Sequence, residues 1–240
     1  MKTLRIKLFQ ETACYKKAAA SKVGETYPLP PYATVKGMLH QLLGADRYIP
    51  MRLSIQGKYD NRIVDYQRHY FFKKSDTLEF PLVLDGLAFR YDLQDMTTMP
   101  IYMHMLYQVE LVVHVQAEDD ILERLRRALL EEGPAFSLGR WEDLVRVDEC
   151  KYVTCVPKDD DDWETPLPIY IPFSLIHDRE FVNGIPYRLN WTYEIVQGVR
   201  QWNRIAVRYV PAGEWIGEGV AELLCDEDGY PVAIPKEMEA

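Results

Sequence analysis

Apolar and polar residues alternate from the start of the chain. In "MKTLRIKLFQ", Leu4, Ile6 and Leu8 alternate with Arg5 and Lys7, the period-two pattern of a half-buried strand. A polar, basic loop follows, "ACYKKAAASKVGE". Pro28, Pro30 and Pro31 then hold the backbone extended. Thr34 is placed to cap a helix whose apolar face is Val35, Met38, Leu39, Leu42 and Leu43, ended at Gly44. "MRLSIQG" (51–57) predicts a second strand, 61–89 strands with short turns, and 92–104 loops. "YQVELVVHVQ" (107–116) is the clearest strand, with Val109, Leu111, Val113 and Val115 on one face. A second helix is expected from Asp119 or Asp120, with Glu123 as a capping-box partner. It turns Ile121, Leu122, Leu125, Leu129 and Leu130 inward, and Gly133-Pro134 stops it.

Without its long middle insertion, the run over residues 1–156 is strand, helix, strand, strand, helix, strand. That is the split βαβ order of an α+β, ferredoxin-like (RRM/RAMP-type) domain. Modules of this shape bind RNA on the sheet or on loops at its edge, although the aromatic signature of RNA-recognition motifs is absent here. The charged, proline-flanked "KDDDDWETPLP" marks a boundary, giving residues 1–157 as the first domain and 158–240 as a small, mostly-β C-terminal region. Short strands are expected there at 169–176, 185–196 and 204–211.

Charge changes this picture more than composition does. The chain has 240 residues, 48% hydrophobic and 27% charged, ordinary for a soluble globular protein with a sizeable core. It has no apolar run of membrane-spanning length and its start has no signal-peptide core, so a cytoplasmic protein without membrane attachment is expected. Net charge is -9, which taken alone argues against nucleic acid. Residues 1–74 nevertheless carry fourteen Lys and Arg against five Asp and Glu, whereas 75–240 carry fourteen against thirty-two. A polyanion meets a local field screened over about 10 Å, so the first third can still bind RNA. The acidic remainder faces solvent or a basic partner.

Four cysteines (Cys14, Cys150, Cys155, Cys225) are too few and too scattered for a disulfide scaffold. Cys150 and Cys155 fall on opposite faces of a strand, which disfavours a shared zinc; buried reduced thiols are expected. No phosphate-cradling GxxxxGK[ST] is present, and "GEWIGEG" (213–219) has turn-like glycines without a βαβ unit. Asp159–Asp162 cannot all converge on one ion, so no metal and no cofactor are expected. His40, His69, His104, His114 and His177 form no metal motif. "DYQRHYFFKK" gathers Tyr66, His69, Tyr70, Lys73 and Lys74, residue types that suit metal-independent RNA cleavage but suit RNA binding by stacking and charge better.

Three blocks then converge. "YPLPPYATVKGMLHQLLG", with Pro28, Pro30, Pro31, Thr34, Gly37 and Met38, resembles the signature of the Cas-five family, RAMP-superfamily subunits of type I CRISPR Cascade complexes. "MPIYMHMLYQVELVVHVQ" is similar to the family's strand after its inserted arm. "FSLGRWEDLVRV" is similar to its Leu-Gly-Arg-x-Glu-Asp block at Leu138, Gly139, Arg140, Glu142 and Asp143. The blocks occur in the family's order, and the last ninety residues match less distinctly.

The resemblance implies a non-catalytic subunit, closest to type I-B-like members, that holds the 5′ handle of the CRISPR RNA and caps the Cascade backbone. An inserted β-hairpin, the thumb, is expected within 58–100. The implied partners are the CRISPR RNA, a Cas-seven-type backbone subunit, a large PAM-reading subunit and, through the assembled complex, target DNA. Expected RNA contacts are Ala33, Thr34, Lys36 and Gly37 at the first-helix N-terminus, Arg62, Arg68, Lys73 and Lys74 on the thumb, and Arg140. The type I-C branch supplies the alternative, a precursor-processing endoribonuclease, but no catalytic residue carries over. A further possibility is a protein-interaction subunit whose acidic surface matters most.

Overall fold

The computed structural model describes residues 2–18, 20, 23–72, 96–131, 135–157, 164–178, 182–216, 219, 220 and 223–235, with backbone alone at 69–72 and 96–98. Along the chain run β1 (Lys2–Ala13), the two-residue β2 (Val23–Gly24), α1 (Tyr32–Leu42), β3 (Arg52–Lys58), β4 (Asn61–Phe72) and β5 (Met96–Gln116). They are followed by α2 (Asp119–Leu130), β6 (Arg146–Pro157), β7 (Ile169–Pro172), β8 (Ile185–Val196), β9 (Val199–Val210), β10 (Leu224–Asp226) and β11 (Pro231–Val232). The described residues are mostly β with two α-helices. No helix among the described residues is long and apolar enough to cross a membrane.

The centre of the sheet is the antiparallel run β6-β1-β5-β3. Alternation places Leu4, Ile6 and Leu8 of β1, Leu53 and Ile55 of β3, and Leu111, Val113 and Val115 of β5 on one face. Both helices cover that face through Val35, Met38, Leu39, Ile121, Leu122 and Leu125. Each buried aliphatic side chain contributes about 1.5–3 kcal/mol. The strands after residue 157 join both edges: β7, β9 and β8 continue outward from β3, while β10 and β11 continue from β6.

Several local expectations are corrected. α1 starts at Tyr32, so Thr34 lies inside its first turn and caps nothing; Pro31 occupies the cap position without a side-chain hydrogen bond. Proline with φ of -59° is already set for a helix start, and the Tyr32 ring is fully buried. At α2 the cap is Glu118, again without a side-chain bond, and Glu123 instead accepts a hydrogen bond from the Tyr152 hydroxyl at 2.8 Å. Leu130, at the helix end, is exposed rather than inward.

Residues 96–104, expected as loop, belong to β5 and pair with β4. Pro100 and the Thr-Met run concealed a real alternation, in which Ile101 and Met103 are buried while Tyr102 is exposed. Gln108 adopts φ of 53° inside β5. The irregularity there shifts the phase of alternation, so that Leu106 and Val109 both face the main core.

The second face of the central sheet is also covered. Thr3, Arg5, Ser54, Gln56, His114 and Gln116 are all buried there. The C-terminal segment lies over them: Gln56 Nε2 donates to Pro231 O at 2.7 Å, and Ala233 N donates to Ser54 Oγ at 3.0 Å. Ile169, Ile171, Leu175, Val182, Val210 and Ile216 form a second core beside this segment.

Candidate nucleic-acid interface

A covered sheet moves any RNA surface to the edges and the projecting hairpins. The α1 start is one such edge, and it is held from the C-terminal strands. Tyr170 Oη of β7 donates to Leu29 O at 2.8 Å. The Tyr32 ring meets Trp191 of β8 edge-on at 5.1 Å and Tyr170 at 6.2 Å. Leu29, Pro30 and Pro31 are buried, Ala33 and Thr34 half-buried, and Gly37 exposed with open space around its Cα.

Lys36 points inward, 4% exposed, with Nζ 3.3 Å from the centre of the Trp191 ring. Burial pushes its ammonium down to about 7, while the ring face favours the charged form. The unfolded chain keeps an ordinary lysine, so between pH 7 and 10.5 it binds more protons than the folded chain. Stability should therefore rise with pH across that window, by up to about 1.4 kcal/mol per pH unit. Urea unfolding at about pH 7.5 and about pH 9.5 should show this rise in the native chain and not in Lys36→Met.

Arg140 is held by the loop that carries it. Its Nη2 donates to Asp143 Oδ1 at 2.7 Å and to Met105 Sδ of β5 at 3.2 Å, and Nη1 lies 2.8 Å from Glu142 Oε1. Burial works against the guanidinium charge, but the Asp143 pair overrides it and holds the pKa above the ordinary value. Asp143, fully buried, also accepts from the backbone N–H groups of Cys14 and Arg140, each at 2.9 Å. Gln10 Nε2 of β1 donates to Leu138 O and Asp143 O, and Tyr15 Oη closes the set on Gln10 Oε1 at 2.6 Å. Gly139 sits at φ of 112°, and a Cβ there would lie 2.9 Å from Asp143 Oδ2 and 3.0 Å from Cys14 O.

The β4–β5 hairpin carries the remaining predicted cations. Arg62 and Arg68 are exposed on β4, beside Tyr66, which meets Tyr102 across the hairpin at 5.6 Å; both rings are more than half exposed. Lys73 and Lys74, and the side chains of His69 and Tyr70, lie outside the described residues. The fold thus brings the Arg140 loop against the root of this hairpin through Met105, and Lys36 against β8.

A second polar cluster was missed by sequence. Arg5, fully buried, donates to Asp226 Oδ2 at 2.6 Å and Glu149 Oε1 at 2.9 Å, and also pairs with Asp228. His114 Nε2 lies 3.0 Å from the same Asp226 oxygen. Burial alone would raise the Asp226 carboxyl, but His114 and Arg5 hold it well below the usual carboxylate range. Burial pushes the thiols of Cys14 and Cys150 up to about 11, so both are protonated at neutral pH, and all four cysteines are free.

A family model described as "CRISPR-associated protein (Cas_Cas5)" matches residues 3–201. Among solved structures, a chain of a CRISPR RNA-guided surveillance complex superposes with a TM-score of 0.55 at 14% identity, covering 88% of this chain and 90% of that one. A CRISPR protein from Archaeoglobus fulgidus superposes with a TM-score of 0.50 at 14% identity, covering 98% and 99%. No curated protein matches the chain.

Proposed function

The chain belongs to the Cas-five family of CRISPR-associated proteins, and we propose that it is a non-catalytic, guide-RNA-binding subunit of a type I Cascade complex in antiviral defence. The observation that carries this is the family match over residues 3–201. The β6-β1-β5-β3 order with helices on one face supports the ferredoxin-like reading of residues 1–157. The antiparallel β4–β5 pair, which joins residues 61–72 to 96–107 and so overlaps the interval 58–100 but runs seven residues past its end, supports its assignment as the thumb. In this proposal the 5′ handle runs along Arg62, Arg68 and the Tyr66–Tyr102 pair and reaches the backbone of Ala33, Thr34 and Gly37. Lys36 and Arg140 shape that surface from beneath, because the Lys36 amine points into the protein against Trp191 and the Arg140 guanidinium is held by Asp143. A Cas-seven-type backbone subunit and the large PAM-reading subunit are its protein partners, and the acidic remainder faces their basic surfaces.

The test is handle-RNA binding by the full chain and by R62Q/R68Q. Each lost phosphate contact on a single strand should flatten the log–log salt dependence by about 0.7, so the double variant should lose about 1.4. Unchanged affinity and slope would reject the arm as the handle site. Incubation with the cognate repeat RNA in EDTA decides the nuclease alternative, since specific cleavage abolished by Tyr66→Phe would overturn the non-catalytic assignment.

A further inference from the structure

The β8–β9 hairpin lies in the acidic part of the chain, yet residues 185–210 contain four arginines and one acid, Glu194. Pairing sets Tyr193 opposite Trp202, Ile195 opposite Arg200, Asn190 opposite Arg204 and Arg188 opposite Ala206, with an irregularity between Asn190 and Thr192. Strand alternation therefore places Arg188, Tyr193, Ile195, Arg200, Trp202 and Arg204 on one face. Glu194 points to the other. Arg208 shares the basic face, but its guanidinium reaches Val182 O.

The inner stretch of the hairpin is anchored on its opposite face by buried Leu189, Ile205 and Val207 in the main core. Its outer stretch projects past that core through the turn Gln197-Gly198, where φ is 53° and 76°. On the basic face, Tyr193 and Trp202 meet edge-on at 5.1 Å, and the Arg200 guanidinium lies 4.6 Å over Tyr193. Arg188, Arg200 and Arg204 are exposed, and none is paired with a carboxylate among the described residues. Ile195 is 69% exposed and Trp202 36%.

We propose that this face is a second nucleic-acid surface, which takes single-stranded RNA by stacking bases on Tyr193 and Trp202 and holding phosphates with Arg188, Arg200 and Arg204. It rests on the RNA-binding assignment above and places a contact outside the basic first third of the chain. Single strands suit it because their bases are free to stack, whereas duplex bases present only edges. The absence of acid from the face favours a polyanion over a protein partner, for which intermixed charge is the usual complement.

The probe is a labelled single-stranded oligouridylate of about twelve nucleotides, within the site sizes of single-strand binders. Binding to the full chain should weaken about 5- to 150-fold in Trp202→Ala, with most affinity kept in Trp202→Phe. R200Q/R204Q should flatten the salt slope by about 1.4. Val199→Ser, on the opposite face, should change neither, and all four variants should melt with the native chain. If the hairpin variants bind as the native chain does while R62Q/R68Q does not, this surface is rejected and the handle assignment stands. If neither set matters, both are rejected. Equal or tighter binding of oligodeoxyuridylate through the same residues would assign the face to DNA. A photocrosslinker at Ile195 that captures a Cascade protein rather than RNA would assign it to a subunit contact.

Discussion

Asp143→Ala is expected to cost about 3–5 kcal/mol, the loss typical when one partner of a buried ion pair is removed. The carboxylate is fully buried and accepts from the Arg140 guanidinium and from two backbone N–H groups. Its removal leaves the guanidinium, beside Cys14 and Met105, with Glu142 as its remaining carboxylate partner, and leaves both N–H groups without their acceptor. Asp143→Asn should cost less, because the amide oxygen can keep one of those bonds while the charge is lost. Gly139→Ala should be damaging in its own right: it combines a left-handed φ with a Cβ 2.9 Å from the same carboxylate. Urea unfolding of the three variants checks the order. If Asp143→Ala unfolded with the native midpoint, the clamp would not hold the loop, and Arg140 would be free to serve as a direct RNA ligand.

This clamp shows where sequence was legible and where it was not. The spacing of Leu138, Gly139, Arg140, Glu142 and Asp143 is visible in the chain, and so is the oddity of a glycine before an arginine. Whether the arginine points outward to a phosphate or back to its own aspartate depends on Cys14 and Met105, which are distant in sequence. Lys36 is a similar case, since its helix and apolar neighbours follow from periodicity, but the indole beneath it belongs to β8. Counting charge in blocks found the basic first third, yet Arg5 within it is fully buried. The same count passed over Arg188, Arg200 and Arg204, which align only when β8 and β9 are paired. The central strand and helix order was legible because periods of two and 3.6 are local. The covering of the second sheet face was not, because it depends on residues 224–235 returning across the whole molecule.

That return predicts the second large effect. Asp226→Ala should also cost about 3–5 kcal/mol, and it should release the C-terminal segment before the rest of the fold. Asp226 is the one fully buried acid that holds Arg5, and its other oxygen accepts from the N–H groups of Asp228 and Tyr230 at 3.0 and 2.9 Å. One side chain thus joins the middle of β1 to the turn after β10. Its carboxyl is held below the usual range in the folded chain, so it contributes stability at pH values above its unfolded pKa of about 4. The contribution falls as pH drops through the folded pKa, because the unfolded chain takes up the proton first. Acid unfolding should accordingly be blunted in Asp226→Asn, which starts from lower stability and has no carboxylate to titrate. Hydrogen exchange at Ser54, Gln56 and Ala233 should quicken in Asp226→Ala, while amides of α1 and α2 keep more of their protection. Equal loss across both sheet faces would show instead that the segment and the helical core unfold as one unit.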